Sequence, residues 1–95
     1  MIKVELNSMY DSRKSFYNKA YIVKYDDMNV EALESYGTEV AIFNTKERYV
    51  SVRELPKHLY SNTTIRHIRE FLKQNGFNAD MTKKELLKEY AGVIL

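Results

Sequence analysis

The stretch Ser61-Asn62-Thr63-Thr64-Ile65-Arg66-His67-Ile68-Arg69-Glu70-Phe71-Leu72-Lys73-Gln74-Asn75-Gly76 decides the fold class. Ile65, Ile68, Phe71 and Leu72 recur at helical spacing. At about 100° per residue they fall in one arc of about 120°, the width of a buried stripe. Ser61, Asn62 and Thr63 are each competent N-caps. Gly76 stands where a helix needs a left-handed residue to stop, and Phe77 can fold back on the last turn. The spacing predicts a helix over residues 63–75.

A second helix follows. Thr82 and Glu85 have capping-box spacing, Met81 can staple onto Leu86, and Leu87 with Tyr90 completes an apolar face. The tail Val93-Ile94-Leu95 is apolar and is expected to pack down. Upstream, Pro56 lacks a backbone donor and stops a region of β character. There Tyr21, Val23 and Tyr25 alternate with Ala20, Ile22 and Lys24, a content that suits a pleated surface. Residues 26–29 make a turn, Val30, Ala32 and Glu34 alternate again, and Gly37 marks a bulge or bend. Val40-Ala41-Ile42-Phe43 is a continuous apolar run, short enough for a strand buried on both faces, and residues 44–47 form a hairpin loop before Tyr49. The expected fold is α+β: an antiparallel sheet of about four strands, with two C-terminal helices on one face. Residues 1–18 supply a short strand and an irregular connection, residues 19–53 the sheet, and residues 61–95 the helices and tail.

The whole chain has 95 residues, 44% hydrophobic and 29% charged, with three glycines and one proline. That is the size and balance of one folded domain. The absence of cysteine excludes disulfides, thiolate metal sites and cysteine nucleophiles, and suits a reducing compartment. No stretch reaches the length of a membrane span. A cytoplasmic protein without membrane or cofactor is expected.

The net charge of +2 is small, yet the charges are segregated. Residues 1–24 hold five bases and two acids, residues 26–39 five acids and no base, and residues 46–73 seven bases and three acids. On the helix at residues 63–75, Arg66, Arg69 and Lys73 share an arc of about 60° beside the apolar stripe. They form a candidate binding surface for phosphates or an acidic protein, with Lys57, Arg48 and Arg53 as possible neighbours. The plain alternative is a solubilising face. Eight tyrosines suit recognition and strands alike.

His67 lies at the edge of the stripe, where an imidazole more often fills a core or capping role than a catalytic one. His58 lies nine residues away in a loop, with no carboxylate at a metal-ligand spacing, so no metal site is expected. Ser61, Thr63 and Thr64 beside His67 are better explained as helix-cap groups than as nucleophiles. The expectation is a protein that is not an enzyme.

Three blocks carry a resemblance: Ser15-Phe16-Tyr17-Asn18-Lys19-Ala20, Leu33-Glu34-Ser35-Tyr36-Gly37-Thr38-Glu39-Val40-Ala41, and Tyr60 followed by the helix quoted above. The last holds a Ser-x-Thr-Thr-x-x-His-Ile-x-x-Phe-Leu pattern. Together, over residues 15–77, they resemble a group of small proteins encoded by phages and prophages of low-GC Gram-positive bacteria. Residues 55–59 and the helix after Met81 look like additions to that core. The resemblance implies a mobile-element origin and no catalytic mechanism. It points to stoichiometric binding of a host protein or nucleoprotein complex, as an anti-CRISPR-type inhibitor does. Net +2 argues against DNA mimicry. The alternative is a nucleic-acid-binding module using the basic helix on RNA or DNA.

Overall fold

The computed structural model of the chain describes residues 1–91, so the expected packing of the Val93-Ile94-Leu95 tail lies outside the described residues. Five strands pair in chain order into one antiparallel sheet: β1 (Ile2–Glu5), β2 (Ala20–Tyr25), β3 (Val30–Ser35), β4 (Thr38–Asn44) and β5 (Tyr49–Val52). Two helices follow, α1 (Asn62–Gln74) and α2 (Lys83–Glu89). This is the expected α+β architecture, with the N-terminal segment adding a fifth strand to the meander of four.

Turn chemistry sets the meander. Tyr36 and Gly37 join β3 to β4 with φ of 50° and 79°. Two left-handed residues in succession make the hairpin turn whose twist matches the flanking strands. Gly37 thus makes the turn itself, and the bulge lies further along. Leu33 pairs with Ala41 but Glu34 pairs with Glu39, which leaves Val40 as the extra residue. Val40 and Ala41 consequently both join the helix-side core, whereas Ile42 faces the other way and is half-buried. The continuous apolar run at residues 40–43 reflects this bulge and not burial on both faces. In the next loop the Asn44 side-chain oxygen accepts from the amides of Lys46 and Glu47 at 3.1 and 2.7 Å.

Register then sorts the side chains. Val4, Ile22, Leu33, Ala41 and Val52 form one row across all five strands. Against this face pack Ile65, Ile68, Phe71 and Leu72 of α1 and Leu86 of α2. Ser61 caps α1 by accepting from the Thr64 amide at 3.2 Å, and Thr82 with Glu85 completes a capping box on α2. At the other end of α1, Gly76 has φ of 85°, and the Phe77 amide reaches back to the Leu72 carbonyl at 2.9 Å. Phe77 is thereby turned onto Phe43, edge to face at 5.8 Å. The connection after β5 is braced by Tyr60, whose hydroxyl donates to the Arg53 carbonyl and accepts from the Leu55 amide. No helix among the described residues is long and apolar enough to cross a membrane.

Phe71 is 1% exposed, at the centre of this layer. Phe71→Ala is expected to cost about 3 to 5 kcal/mol as a large-to-small core change. Urea unfolding measures it, and an unchanged midpoint would mean that α1 presents a different face to the sheet.

Candidate functional site

The basic row of α1 is brought together as the helical spacing predicts, but it does not stand free in solvent. The Arg66 guanidinium forks onto Asp11, with Nε 3.0 Å from Oδ2, and also donates to the Ser12 hydroxyl. The hydrogen bond from this guanidinium lowers the Asp11 pKa from its ordinary value. Arg69 Nη1 donates to the carbonyls of Ala79 and Met81 at 2.6 and 2.5 Å, clamping the α1–α2 connection. Lys73 Nζ lies 3.2 Å from Asp80. The buried carboxylate of Glu70 completes the set. It accepts from the amides of Tyr10 and Asp11, each at 2.9 Å, and from Gln74 Nε2 at 2.7 Å. Each cation of the row is thus engaged within the fold, Arg66 by Asp11, Arg69 by two carbonyls and Lys73 by Asp80.

The row's expected neighbours disperse because strand alternation and the sheet separate them. Arg48 sits in the β4–β5 loop over the Phe43 ring and reaches the carbonyl of Asn75 at the C-terminal end of α1. Arg53 projects from the far side of the sheet. Lys57 joins Lys83 and Lys84 around a cleft of about 250 Å³ floored by Tyr60 and Leu87. Lys83 Nζ donates to the Tyr60 carbonyl at 2.5 Å. Lys83 and Lys84 were hidden in sequence by the neutral balance of their segment.

His67 occupies the core position that its place on the helical wheel suggests, at 1% exposure. Its Nδ1 is 2.8 Å from the Ser35 hydroxyl, which is 3.1 Å from Thr64 Oγ1; the Ser61 hydroxyl donates to that same oxygen at 3.2 Å. One chain of hydrogen bonds runs from the exposed helix cap to the buried ring. Nε2 has no partner among the described residues, and the ring is edge-to-face with Phe16 at 4.8 Å. Ser35 is itself 2% exposed, at the wall of a cleft of about 210 Å³. Asp11, the one acid acting on the imidazole, is engaged by Arg66. Among the described residues no carboxylate hydrogen-bonds the imidazole beside this enclosed hydroxyl. Among the described residues no group of three His, Asp or Glu side chains could hold a metal ion.

The other face of the sheet carries no helix among the described residues. Three rows cross it: Glu5, Tyr21, Glu34 and Glu39; Lys3, Val23, Ala32, Ile42 and Ser51; and Tyr25, Val30, Asn44 and Tyr49. The Tyr25 hydroxyl reaches Glu39 Oε2 at 3.5 Å, so its side chain crosses β3 above the fully buried Ala32. Lys3 bridges to Glu34 at 2.8 Å and lies over the Tyr21 ring. Tyr25 and Tyr49, with Val30, Ile42 and Met28, line a cleft of about 280 Å³ that also takes in Glu39, Asn44 and Arg53. Arg53 Nε, which has no exposed surface, finds no acceptor among the described residues. The shared phase of Tyr21, Val23 and Tyr25 was visible in the sequence, but nothing local said which phase the helices would leave bare.

Two measurements check these assignments. Arg69→Gln should cost about 1.5 to 3 kcal/mol, because it removes charge-assisted bonds to two carbonyls. Lys73→Gln should cost less than about 1 kcal/mol, as its partner is mostly exposed. Equal losses in urea unfolding would contradict the clamp. The second is pH dependence. Burial pushes the His67 pKa below its usual value of 6.5, with Asp11 opposing and Arg66 assisting. The unfolded chain therefore takes up this proton at a higher pH than the folded one. Stability is complete above pH 6.5 and falls as pH drops below it, by up to about 1.4 kcal/mol per unit. An NMR titration in which His67 protonates at 6.5 or above would refute this.

No curated protein and no solved structure matches the chain. Residues 4–88, from β1 to α2, match a family of unknown function, DUF8033, and the chain belongs to that family.

Proposed function

We propose that this chain is a non-enzymatic accessory protein of a phage or mobile element that acts by stoichiometric binding to a host protein. An anti-defence role of the anti-CRISPR type is the form of that activity we favour. The observation that carries the reading is the helix-free face of the sheet, where tyrosines surround an open cleft. A two-layer α+β domain usually leaves one sheet face to solvent with polar residues. Here that face offers aromatic rings, aliphatic floor and unpaired polar ends together, the composition of an interface core. The charge pattern adds to this. The cations of α1 are engaged by acids and carbonyls within the fold, which weakens the case for that helix as a phosphate-tracking surface.

The nucleic-acid reading keeps one specific observation, the convergence of Lys57, Lys83 and Lys84. If it holds, binding weakens steeply with salt and loses slope when these lysines become Gln.

The test is capture of partners by the tagged chain from lysate of a low-GC Gram-positive bacterium, with and without nuclease. A stoichiometric protein partner that survives nuclease is expected. Loss of all capture on nuclease treatment would transfer the function to the lysine cluster, and absence of any partner would remove the binding role.

A further inference from the structure

We propose that the helix-free face docks a basic polypeptide segment, one of whose arginine or lysine side chains enters the cleft between Tyr25 and Tyr49 and reaches Glu39. The inference rests on the binding role proposed above and names the chemistry of the partner.

The first argument is the charge of this face, which opposes that of the molecule. Glu5, Glu34 and Glu39 lie on it, and Asp26 and Asp27 follow Tyr25 at its rim, against Lys3 and Arg53. Five acids against two bases give −3, while the whole chain carries +2. Such a surface repels phosphate backbones and attracts cations.

The second is an arrangement that the isolated fold leaves unrelieved. Glu34 and Glu39 are direct cross-strand partners on one face, and like charges in that position destabilise a sheet. Lys3 offsets Glu34. Glu39 has only the long contact from the Tyr25 hydroxyl, and no ion pair joins it to Arg53 among the described residues. A cation arriving beside Glu39 removes the repulsion.

The third is the shape and lining of the cleft. At about 280 Å³ it has room for one long side chain. Tyrosine walls attract a guanidinium or ammonium through the ring faces, Val30 and Ile42 receive the aliphatic stem, and the carboxylate meets the charged head. Met28 stands at the entrance, 62% exposed, as a deformable apolar contact.

The cation belongs to a polypeptide because the binding role proposed above is to a host protein, and the tyrosine and aliphatic lining gives the stem of a long side chain an apolar contact that a small free cation does not use.

The experiment titrates the full chain by ¹H–¹⁵N NMR with N-acetyl-arginine N-methylamide, which carries the guanidinium and two carbonyls on one residue. Norleucine and glutamate analogues and a single-stranded oligonucleotide serve as comparisons. Saturable shifts at Tyr25, Ile42 and Tyr49 are expected with the arginine probe. Affinity should be about tenfold lower for norleucine, the equivalent of one good cation–π and carboxylate contact. Glu39→Gln should abolish that preference while leaving folding intact, since it also removes a like-charge pair. Equal response to norleucine, stronger response to glutamate or the oligonucleotide, or no saturable shift with arginine would overturn the proposal. So would shifts of the chain alone with its own concentration, which would assign the face to a second copy.

The captured partner separates this inference from the binding role. Retention by Glu39→Gln and Tyr49→Ala would leave that role standing and remove this face from it. Failure to capture any partner would remove the role itself.

Discussion

A single carboxylate organises the N-terminal third of the molecule. Glu70 is 1% exposed, and a buried charge is tolerable only when its oxygens are filled with hydrogen bonds. Two of the three donors come from the backbone of Tyr10 and Asp11, about sixty residues away in sequence. Filling that requirement lays residues 7–18 along α1. Gln74 on the same helix donates to the Asn7 carbonyl, and Arg66 grips Asp11. With the segment so fastened, Leu6 and Phe16 enter the core, and β1 is delivered to the edge of β2. Helix α1 is then occupied on two sides, by the sheet through its apolar stripe and by the N-terminal segment through its polar one.

This explains how far the sequence could be read. The boundaries of α1, its Ser61 cap and the Thr82–Glu85 box are local features, decided within four residues, and each is legible from side-chain type and spacing. The stripe from Ile65 to Leu72 is legible for the same reason. The partners of the basic row are not, because Asp11 lies 55 residues from Arg66 and the carbonyls that hold Arg69 belong to no recognisable motif. Counting charge by segment treats each stretch as facing solvent alone, so it does not reveal that these cations have partners within the fold. The bulge at Val40 was hidden for a related reason. An extra residue imitates the apolar continuity of a strand buried on both faces, and only the pairing register separates the two.

The bulge and the tight turn beside it also fix how α1 sits on the sheet. The turn at Tyr36 and Gly37 ends β3 at Ser35, whose hydroxyl lies between Thr64 and His67. These polar side chains are one helical turn apart on α1, and their bond to a single strand position gives the helix a register that apolar contacts alone would leave free to slide. A buried polar network of this kind specifies arrangement more than it adds stability. The unpartnered Nε2 of His67 remains as its cost. The hydroxyls and imidazole that most resemble catalytic equipment thus have a positional role in the fold.

The two layers consequently differ in what they leave unsatisfied. In the helix layer Arg66 and Lys73 pair with Asp11 and Asp80, Arg69 holds two carbonyls, and the other polar groups cap, clamp or set register. On the helix-free face an acidic pair is held side by side, and Tyr25 and Tyr49 line a cleft of about 280 Å³, while a guanidinium nitrogen of Arg53 finds no acceptor among the described residues. Each of these features costs the isolated domain some stability, and none is needed to hold the five strands together. They share one surface, so the partner proposed above would meet them together. On the binding role proposed above, the recognition chemistry would lie on the sheet, with α1 holding the sheet in shape.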